Sequence, residues 1–223
     1  MHGDTKRILV VDVESTCWEH YADRPAGLQS EIIEIGFSEL DTDTLKVSPG
    51  ESIYVIPEGG ELSPFCERLT GISWNTLLMN NAVRYKVAVE KLRERFPELR
   101  HTAWASWGDY DREMFVSMAI LHGGSPTGVV IEHRKAEPTF GYAPDVYPFG
   151  RAHINIRVLD ALVREQPKQS GMEALEAYGL KFEGRPHCGR DDAFNTAHML
   201  AEILRTSRKG FAHAHTPMFP SFV

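Results

Sequence analysis

The chain of 223 residues is long enough for one ordinary domain or two small ones. Its 42% hydrophobic and 25% charged residues are typical of a soluble globular protein, and no apolar run approaches the roughly 18 to 20 residues that a membrane span requires. A formal charge of −7 argues against a protein that coats nucleic acid with a basic face, but it does not exclude an enzyme that binds one strand end through metal ions.

The N-terminus and the cysteines predict a cytoplasmic protein. The first residues, "MHGDTKR", lead directly into a strand rather than into the apolar region of a signal peptide. Cys17, Cys66 and Cys188 are odd in number, far apart in the chain and form no CxxC pair. The sequence therefore predicts neither a disulfide framework nor a thiolate zinc site.

The first part of the chain predicts three consecutive strands. Residues 7–16 and 30–40 are rich in Val and Ile, and residues 51–57, "ESIYVIP", end at a proline. Gly50 and the "DTDT" segment supply turn residues between them. Three strands in succession favour an antiparallel meander.

The remainder of the chain predicts strands and helices in alternation. Residues 102–108 read as a short buried strand, and residues 153–165 as a strand that passes into a helix. Further helices are predicted over residues 82–99, 111–122, 171–178 and 190–206. Strands followed by this alternation predict an α/β fold with one mixed sheet covered by helices.

Two segments lie outside this pattern. Residues 123–150 are rich in Gly and Pro and weakly periodic, so they predict an insertion in which "VVIEHR" is a candidate strand. The segment from Ser207 has no pattern, and its histidines, His213 and His215, fit a solvated tail better than a metal site. We expect a single domain over residues 1–206 with an insertion at 123–150, and a tail over 207–223.

Two acidic residues interrupt the first apolar strand. Asp12 and Glu14 are two positions apart, so on a strand their side chains point to the same face. Two like charges at that distance destabilise the strand unless a cation lies between them. The pair therefore favours a metal site over the alternative, an edge strand with one solvated face.

Two further acidic pairs stand at places where helices begin. Asp109 and Asp111 follow a short buried strand, and Asp191 and Asp192 open the last predicted helix, four residues after His187. Carboxylates at a helix start often only cap it, and a loop histidine is more often simply exposed. In each pair, one aspartate can cap the helix while the other binds a ligand.

The ordered segments "VVDVEST", "EIIEIG", "SWGDYD" and "HCGRDD" resemble the DEDDh group of 3′-to-5′ exonucleases, which are DnaQ-like members of the ribonuclease H-like superfamily. The stretches "LSPFCERLTGIS" and "HINIRVLDAL" are similar to the branch that contains the Eri-type exoribonucleases and the bacterial sporulation inhibitor KapD. The similarity covers residues 7–205 apart from the insertion. It implies a mixed five-stranded sheet flanked by helices.

This resemblance implies a catalytic site with two divalent ions, Mg²⁺ or Mn²⁺. By position, the metal ligands are Asp12, Glu14, Asp111 and Asp192, and His187 is the general base. Asp109 and Asp191 are the alternatives to their neighbours. Two metal ions bound by hard oxygen ligands suit phosphodiester hydrolysis, and a histidine accepts a proton from water at neutral pH.

The implied substrate is a single-stranded 3′ end, from which nucleoside 5′-monophosphates are released, with RNA favoured over DNA by the branch alone. Candidate contacts to the terminal sugar are Ser15, Thr16, Cys17 and Trp18, and candidates to stack on the base are Phe65, Leu69 and Tyr110. Core packing explains Phe65 and Leu69 equally well. Arg185 and Arg190 are candidate phosphate contacts.

Two rival functions stay open from the sequence. One is a non-catalytic nucleic-acid-binding or regulatory protein of the same fold, although all five expected catalytic positions are occupied. The other is a phosphodiesterase for very short oligonucleotides, which would share every catalytic residue. A homodimer is common among similar proteins, and no feature of the sequence decides for or against it.

Overall fold

The computed structural model of the chain describes residues 6–123 and 145–214, with side chains as far as residue 208. Most of the predicted insertion, including "VVIEHR", and His215 lie outside the described residues. Among the helices of the described part, none is long and apolar enough to cross a membrane.

A mixed five-stranded sheet forms the centre of the fold, as predicted. Its strands are β1 (Arg7–Ser15), β2 (Ile32–Asp41), β3 (Glu51–Tyr54), β4 (Trp104–Ser106) and β5 (His153–Asn155), in the spatial order β3-β2-β1-β4-β5. The first three strands pair antiparallel, whereas β4 pairs parallel with both β1 and β5. The carboxyl ends of β1, β4 and β5 therefore meet at one edge of the sheet.

Seven α-helices surround the sheet in the described part of the chain. They are α1 (Pro64–Thr70), α2 (Trp74–Met79), α3 (Tyr85–Arg95), α4 (Tyr110–Leu121), α5 (Ile156–Arg164), α6 (Gly171–Ala177) and α7 (Gly189–Ala214). Serine side chains cap the two short helices α1 and α2, at Ser63 and Ser73. These caps stabilise helices that are too short to show a periodic apolar pattern.

Helix α7 extends beyond the predicted boundary at residue 206 and reaches Ala214. The added residues contain no proline before Pro217, so nothing stops the backbone hydrogen bonding of the helix at Ser207. Among the residues of α7 whose side chains the structure describes, Ile203 is the last that is buried. The predicted boundary therefore follows this buried residue closely, whereas the helix continues to Ala214.

The two faces of the sheet carry different helices. Leu9, Val11 and Val13 pack with residues of α3 and α4, whereas Ile8 and Val10 pack with α7. This division follows from the alternation of side chains along β1. Asp12 and Glu14 continue the series of alternate residues that begins with Ile8 and Val10. Their side chains therefore lie on the same face of the sheet, which α7 covers.

Candidate active site

Two carboxylates enter the site from β1. In the antiparallel ladder Asp12 lies opposite Gly36, and Glu14 lies opposite Glu34. Glu14 is only 8% exposed, and Asp12 is partly buried. The carboxyl groups thus sit at the end of the central strand, beneath the start of α7.

Asp111 enters the site from the first turn of α4. It is 4% exposed, and its Oδ1 accepts a hydrogen bond of 2.9 Å from the backbone N–H of Val13. Asp109 is directed elsewhere, because its carboxylate accepts from Asn155 Nδ2 at 2.8 Å and lies 3.2 Å from Arg112 Nη2. Of this acidic pair, the structure brings Asp111 to the carboxylates of β1.

Asp192 enters from the first turn of α7. Its ligand oxygen and those of Asp12 and Glu14 lie within 4.8 Å of one another, and its Oδ2 accepts from the backbone N–H of Cys188 at 3.0 Å. Asp191 instead accepts from the backbone N–H of Arg185 at 2.9 Å. Asp191 therefore holds the preceding loop, and Asp192 joins the cluster.

Glu34 fixes the position of α7 and was not predicted as a site residue. Its buried carboxylate accepts from the backbone N–H groups of Gly189 at 3.0 Å and Arg190 at 3.4 Å, and also from the Ser52 hydroxyl. A Cβ on Gly36 would lie 1.8 Å from the carbonyl carbon of Gly189, so strand and helix touch through their backbones. A carboxylate at a helix N-terminus is favoured by the free N–H groups and the helix dipole.

Burial and mutual repulsion raise the pKa values of the clustered carboxyl groups. The pKa of Asp12 is raised well above its ordinary range. Desolvation is the largest cause, and the nearby charges of Asp111 and Asp192 raise it further. The pKa of Glu14 is raised to about 8, mainly by desolvation and in second place by the charges of Asp192 and Glu34. Desolvation also raises the pKa of both Asp111 and Asp192 to about 6, against the lowering effect of their backbone hydrogen bonds.

These properties fit a divalent metal site. Four carboxylates at this spacing repel one another when all are ionised, and a divalent cation between them removes that cost. All the donors are hard carboxylate oxygens, the type that Mg²⁺, Ca²⁺ and Mn²⁺ prefer. Of the described residues, Asp12, Glu14 and Asp192 form the group with metal-ligand geometry.

His187 stands in the loop immediately before α7. Its φ of 59° lies in the left-handed region, and its exposed side chain lines the same cavity as the carboxylates. Arg185 fixes this loop, since its Nη2 donates to the carbonyl oxygens of His187 at 3.1 Å and Leu69 at 3.2 Å. The predicted phosphate contact by Arg185 thus competes with two backbone carbonyls, while Arg190 lies 3.4 Å from Asp191.

The carboxylates form the floor of a cavity of about 410 Å³, within the usual size of a ligand site. Of the predicted substrate contacts, Ser15, Cys17, Leu69 and Tyr110 line it. Ser15 Oγ and Tyr110 Oη are hydrogen-bonded at 2.6 Å, so two hydroxyl groups lie together in the wall of the cavity.

The structure does not bring the other three predicted contacts, Thr16, Trp18 and Phe65, into the lining of this cavity. Thr16 has a role within the fold, because its Oγ1 accepts from the backbone N–H of Glu31 at 2.9 Å. Sequence reasoning did not identify the side chains that line the far part of the cavity: Trp107, Met172, Leu175, Phe182, Asn195, Thr196 and Met199.

No family model matches the chain, but individual proteins and solved structures are similar to it. The sequence is 28% identical over 207 residues to 3′-5′ exoribonuclease 1 of Homo sapiens, covering 89% of this chain and 52% of that protein. It is 26% identical over 214 residues to the 3′-5′ exonuclease Snipper of Drosophila melanogaster, covering 89% and 69%. The chain thus spans about half the length of the human protein.

Among solved structures, the nuclease domain of 3′hExo, a DEDDh family member bound to rAMP, superimposes with a TM-score of 0.71. The identity is 26%, and the match covers 92% of this chain and 94% of that one. The predicted resemblance to the DEDDh exonucleases is confirmed. The fold of the DEDDh nuclease domain therefore extends over nearly the whole chain, with the acidic cluster at the carboxyl end of its central strand.

Proposed function

We propose that the chain is a metal-dependent exonuclease that hydrolyses phosphodiester bonds at single-stranded 3′ ends and releases nucleoside 5′-monophosphates. The observation that carries this proposal is the convergence of four buried or partly buried carboxylates from β1, α4 and α7 on one cavity, with an exposed histidine beside them. Paired divalent ions on such a carboxylate set are a recurrent basis of phosphodiester hydrolysis.

In this proposal Asp12, Glu14, Asp111 and Asp192 hold two divalent ions, Mg²⁺ or Mn²⁺. The bound ions would lower the pKa of the attacking water and neutralise charge on the phosphoryl and leaving oxygens. His187 accepts the proton of the attacking water, for which its exposed position leaves access to solvent. Arg185 holds the His187 loop through the carbonyl of His187 itself.

The terminal nucleotide is proposed to bind between Leu69 and Tyr110. Both side chains line the cavity, and Tyr110 is 53% exposed, which leaves its ring free to stack on a base. The hydrogen-bonded hydroxyl groups of Ser15 and Tyr110 offer a donor and an acceptor to the hydroxyl groups of the terminal sugar.

Similarity to exoribonucleases and to a nuclease domain bound to rAMP supports RNA over DNA as the substrate. We also infer a cytoplasmic location, because all three cysteines are free thiols, as in proteins of reducing compartments.

The experiment that tests this function uses 5′-labelled single-stranded RNA and DNA of equal sequence, with EDTA, Mg²⁺ or Mn²⁺. We expect a ladder that shortens from the 3′ end only with metal, and faster on RNA. Asp12→Asn should abolish the ladder, whereas Asp109→Asn, which changes a carboxylate outside the cluster, should retain it. Metal-dependent activity that survives in Asp12→Asn would refute the site.

A second outcome would favour one of the two rivals. Metal uptake by calorimetry with no degradation of either strand, but cleavage of dinucleotides, would indicate a phosphodiesterase for short oligonucleotides. Binding of either strand without metal uptake or cleavage would indicate a non-catalytic binding protein.

A further inference from the structure

The cavity continues beyond the acidic floor along one face of α7. Asp192, Asn195, Thr196 and Met199 all line it, and their spacing of three, four and seven residues places them on a single face of the helix. Seven residues of helix correspond to about 10 Å, so the cavity extends well past the carboxylates. The proposed terminal-nucleotide site does not use this part.

An apolar wall faces this extension. We call Trp107, Met172 and Phe182 the distal wall, since all three line the cavity and none belongs to the proposed terminal-nucleotide site. Met172 is 45% exposed and Phe182 is half-buried, and neither packs into any of the three hydrophobic clusters formed by the described residues. Because both side chains keep some solvent exposure and border the cavity, they are available to a ligand.

Trp107 packs on a different face of the sheet from helix α4, which Tyr110 opens. Tyr110 opens α4, which packs on the face of the sheet that carries Val11 and Val13, and it bonds to Ser15 on that face. Trp107 packs instead against the cluster of Ala174 and Met199, on the face that α6 and α7 cover. Tyr110 and Trp107 therefore offer planar groups two separate places to bind in the same cavity.

The chemistry of the distal wall selects a nucleobase rather than a phosphate. The extension is lined only by neutral groups: Trp107, Ser170, Gly171, Met172, Leu175, Phe182, Pro186, Asn195, Thr196 and Met199. No cation among them could bind an anion. Aromatic rings and a polarizable thioether suit the π-face of a base and do not discriminate its sequence.

We infer that the distal wall binds the base of the penultimate nucleotide, on the 5′ side of the bond that is cleaved. This inference rests on the proposed function, in which the scissile phosphate lies over the carboxylates. With the terminal nucleotide between Leu69 and Tyr110, the preceding nucleotide must lie on the other side of the floor. The exposed edge of the wall at Met172 leaves the rest of the strand a path to solvent.

The test compares two fluorescein-labelled oligouridylates of four nucleotides, one intact and one with an abasic ribose at the penultimate position. For the wild type we expect kcat/KM to be about tenfold lower on the abasic oligomer, as expected for the loss of one stacked base. Phe182→Ala should lose about tenfold on the intact oligomer and nothing further on the abasic one. Met172→Ala should show the same pattern with a smaller loss.

Met79→Ala provides the matched control. Met79 lies on α2, is 74% exposed and does not line the cavity, so this variant should behave as the wild type on both oligomers. Wild-type rates that are equal on the two oligomers would overturn the inference. So would a Phe182→Ala variant that loses activity equally on both, because its loss would then not depend on the penultimate base.

A binding measurement separates this inference from the proposed function. Fluorescence anisotropy in EDTA compares the affinity of the two oligomers without any cleavage. Tighter binding of the intact oligomer, lost in Phe182→Ala, would support the distal wall even if no metal allowed hydrolysis, and the proposed function alone would then fail. Equal affinity for both oligomers would refute the distal wall even if hydrolysis occurred.

Discussion

The centre of the cavity and its walls are built in different ways. Backbone groups hold the central carboxylates: Val13 N–H binds Asp111, Cys188 N–H binds Asp192, and Glu34 fixes the start of α7. The wall side chains Leu69, Met172 and Phe182 pack into none of the clusters of the described core. The geometry of the carboxylate cluster is thus part of the fold, whereas we expect Leu69, Met172 and Phe182 to tolerate substitution with little effect on the core.

The largest effect that follows from this difference is expected at Asp192. Asp192→Asn replaces one anionic ligand of the cluster by a neutral amide, and we expect kcat at saturating Mn²⁺ to fall by about 10³-fold or more. Asp191→Asn should stay within about tenfold of the wild type, because an amide oxygen can still accept from Arg185 N–H. Single-turnover rates on 5′-labelled RNA measure both variants.

The result would be reversed if Asp191 were the ligand. Thermal unfolding of both variants controls for the fold, since both side chains accept hydrogen bonds from the loop before α7. A tenfold loss in Asp192→Asn together with a thousandfold loss in Asp191→Asn would place the metal site on the other face of the helix start.

In the proposed mechanism His187 acts as the general base and does not bind metal, so its loss should affect one property only. We expect His187→Ala to lower kcat by ~10² to 10⁴ through the loss of a general base. Titration with Mn²⁺ by calorimetry should give nearly the same affinity as the wild type. A large loss of Mn²⁺ affinity would make His187 a ligand and would require a different base.

The sequence could indicate where the converging carboxylates lie because their signals are local. An Asp-x-Glu pair in an apolar strand indicates within a few residues where the carboxylates lie and which face of the strand they share. Acidic pairs at helix starts likewise indicate where a carboxylate lies. Glu34 was missed because its partner, the start of α7, is 155 residues away in the chain. A buried acid in the strand "EIIEIG" signals that a partner exists, but the sequence does not say which.

The walls could not be predicted for a different reason. Trp107, Met172 and Phe182 are apolar residues that resemble ordinary core residues in any pattern of hydrophobicity. Only the packing shows that Met172 and Phe182 contribute to no core cluster. The sequence does not distinguish Phe65 from Leu69 either. In the structure Leu69 lines the cavity and Phe65 does not.

Arg185 connects the two regions, because it joins the His187 loop of the centre to the end of α1, which carries Leu69. Arg185→Lys should lower kcat by about tenfold with little change in KM, since one ammonium group cannot reproduce the fork of the guanidinium. Arg190→Lys is the matched control and should change kcat less than twofold. A rise in KM without a change in kcat would show that Arg185 binds substrate phosphate instead.

The smallest effect concerns stability, and it distinguishes the charged centre from the neutral walls. Burial and neighbouring carboxylates raise the pKa of Glu14 to about 8 in the fold, against an ordinary value of 4.5. The folded state therefore binds this proton more tightly than the unfolded state, so the contribution of Glu14 to stability is present below pH 4.5 and is lost as the pH rises towards 8. Divalent metal should restore it by replacing the proton.

Glu14→Gln cannot ionise and should escape this loss. In EDTA at pH 8.5 we expect it to unfold about 5 °C or more above the wild type, because 1 kcal/mol shifts Tm by roughly 2 to 4 °C in a protein of this size. Near pH 5 the two should differ little, and Mn²⁺ should raise the Tm of the wild type more than that of the variant. Met172→Ala, in the distal wall, should shift Tm equally at both pH values; a Glu14→Gln shift that is equally independent of pH would mean that Glu14 is already ionised in the fold without metal.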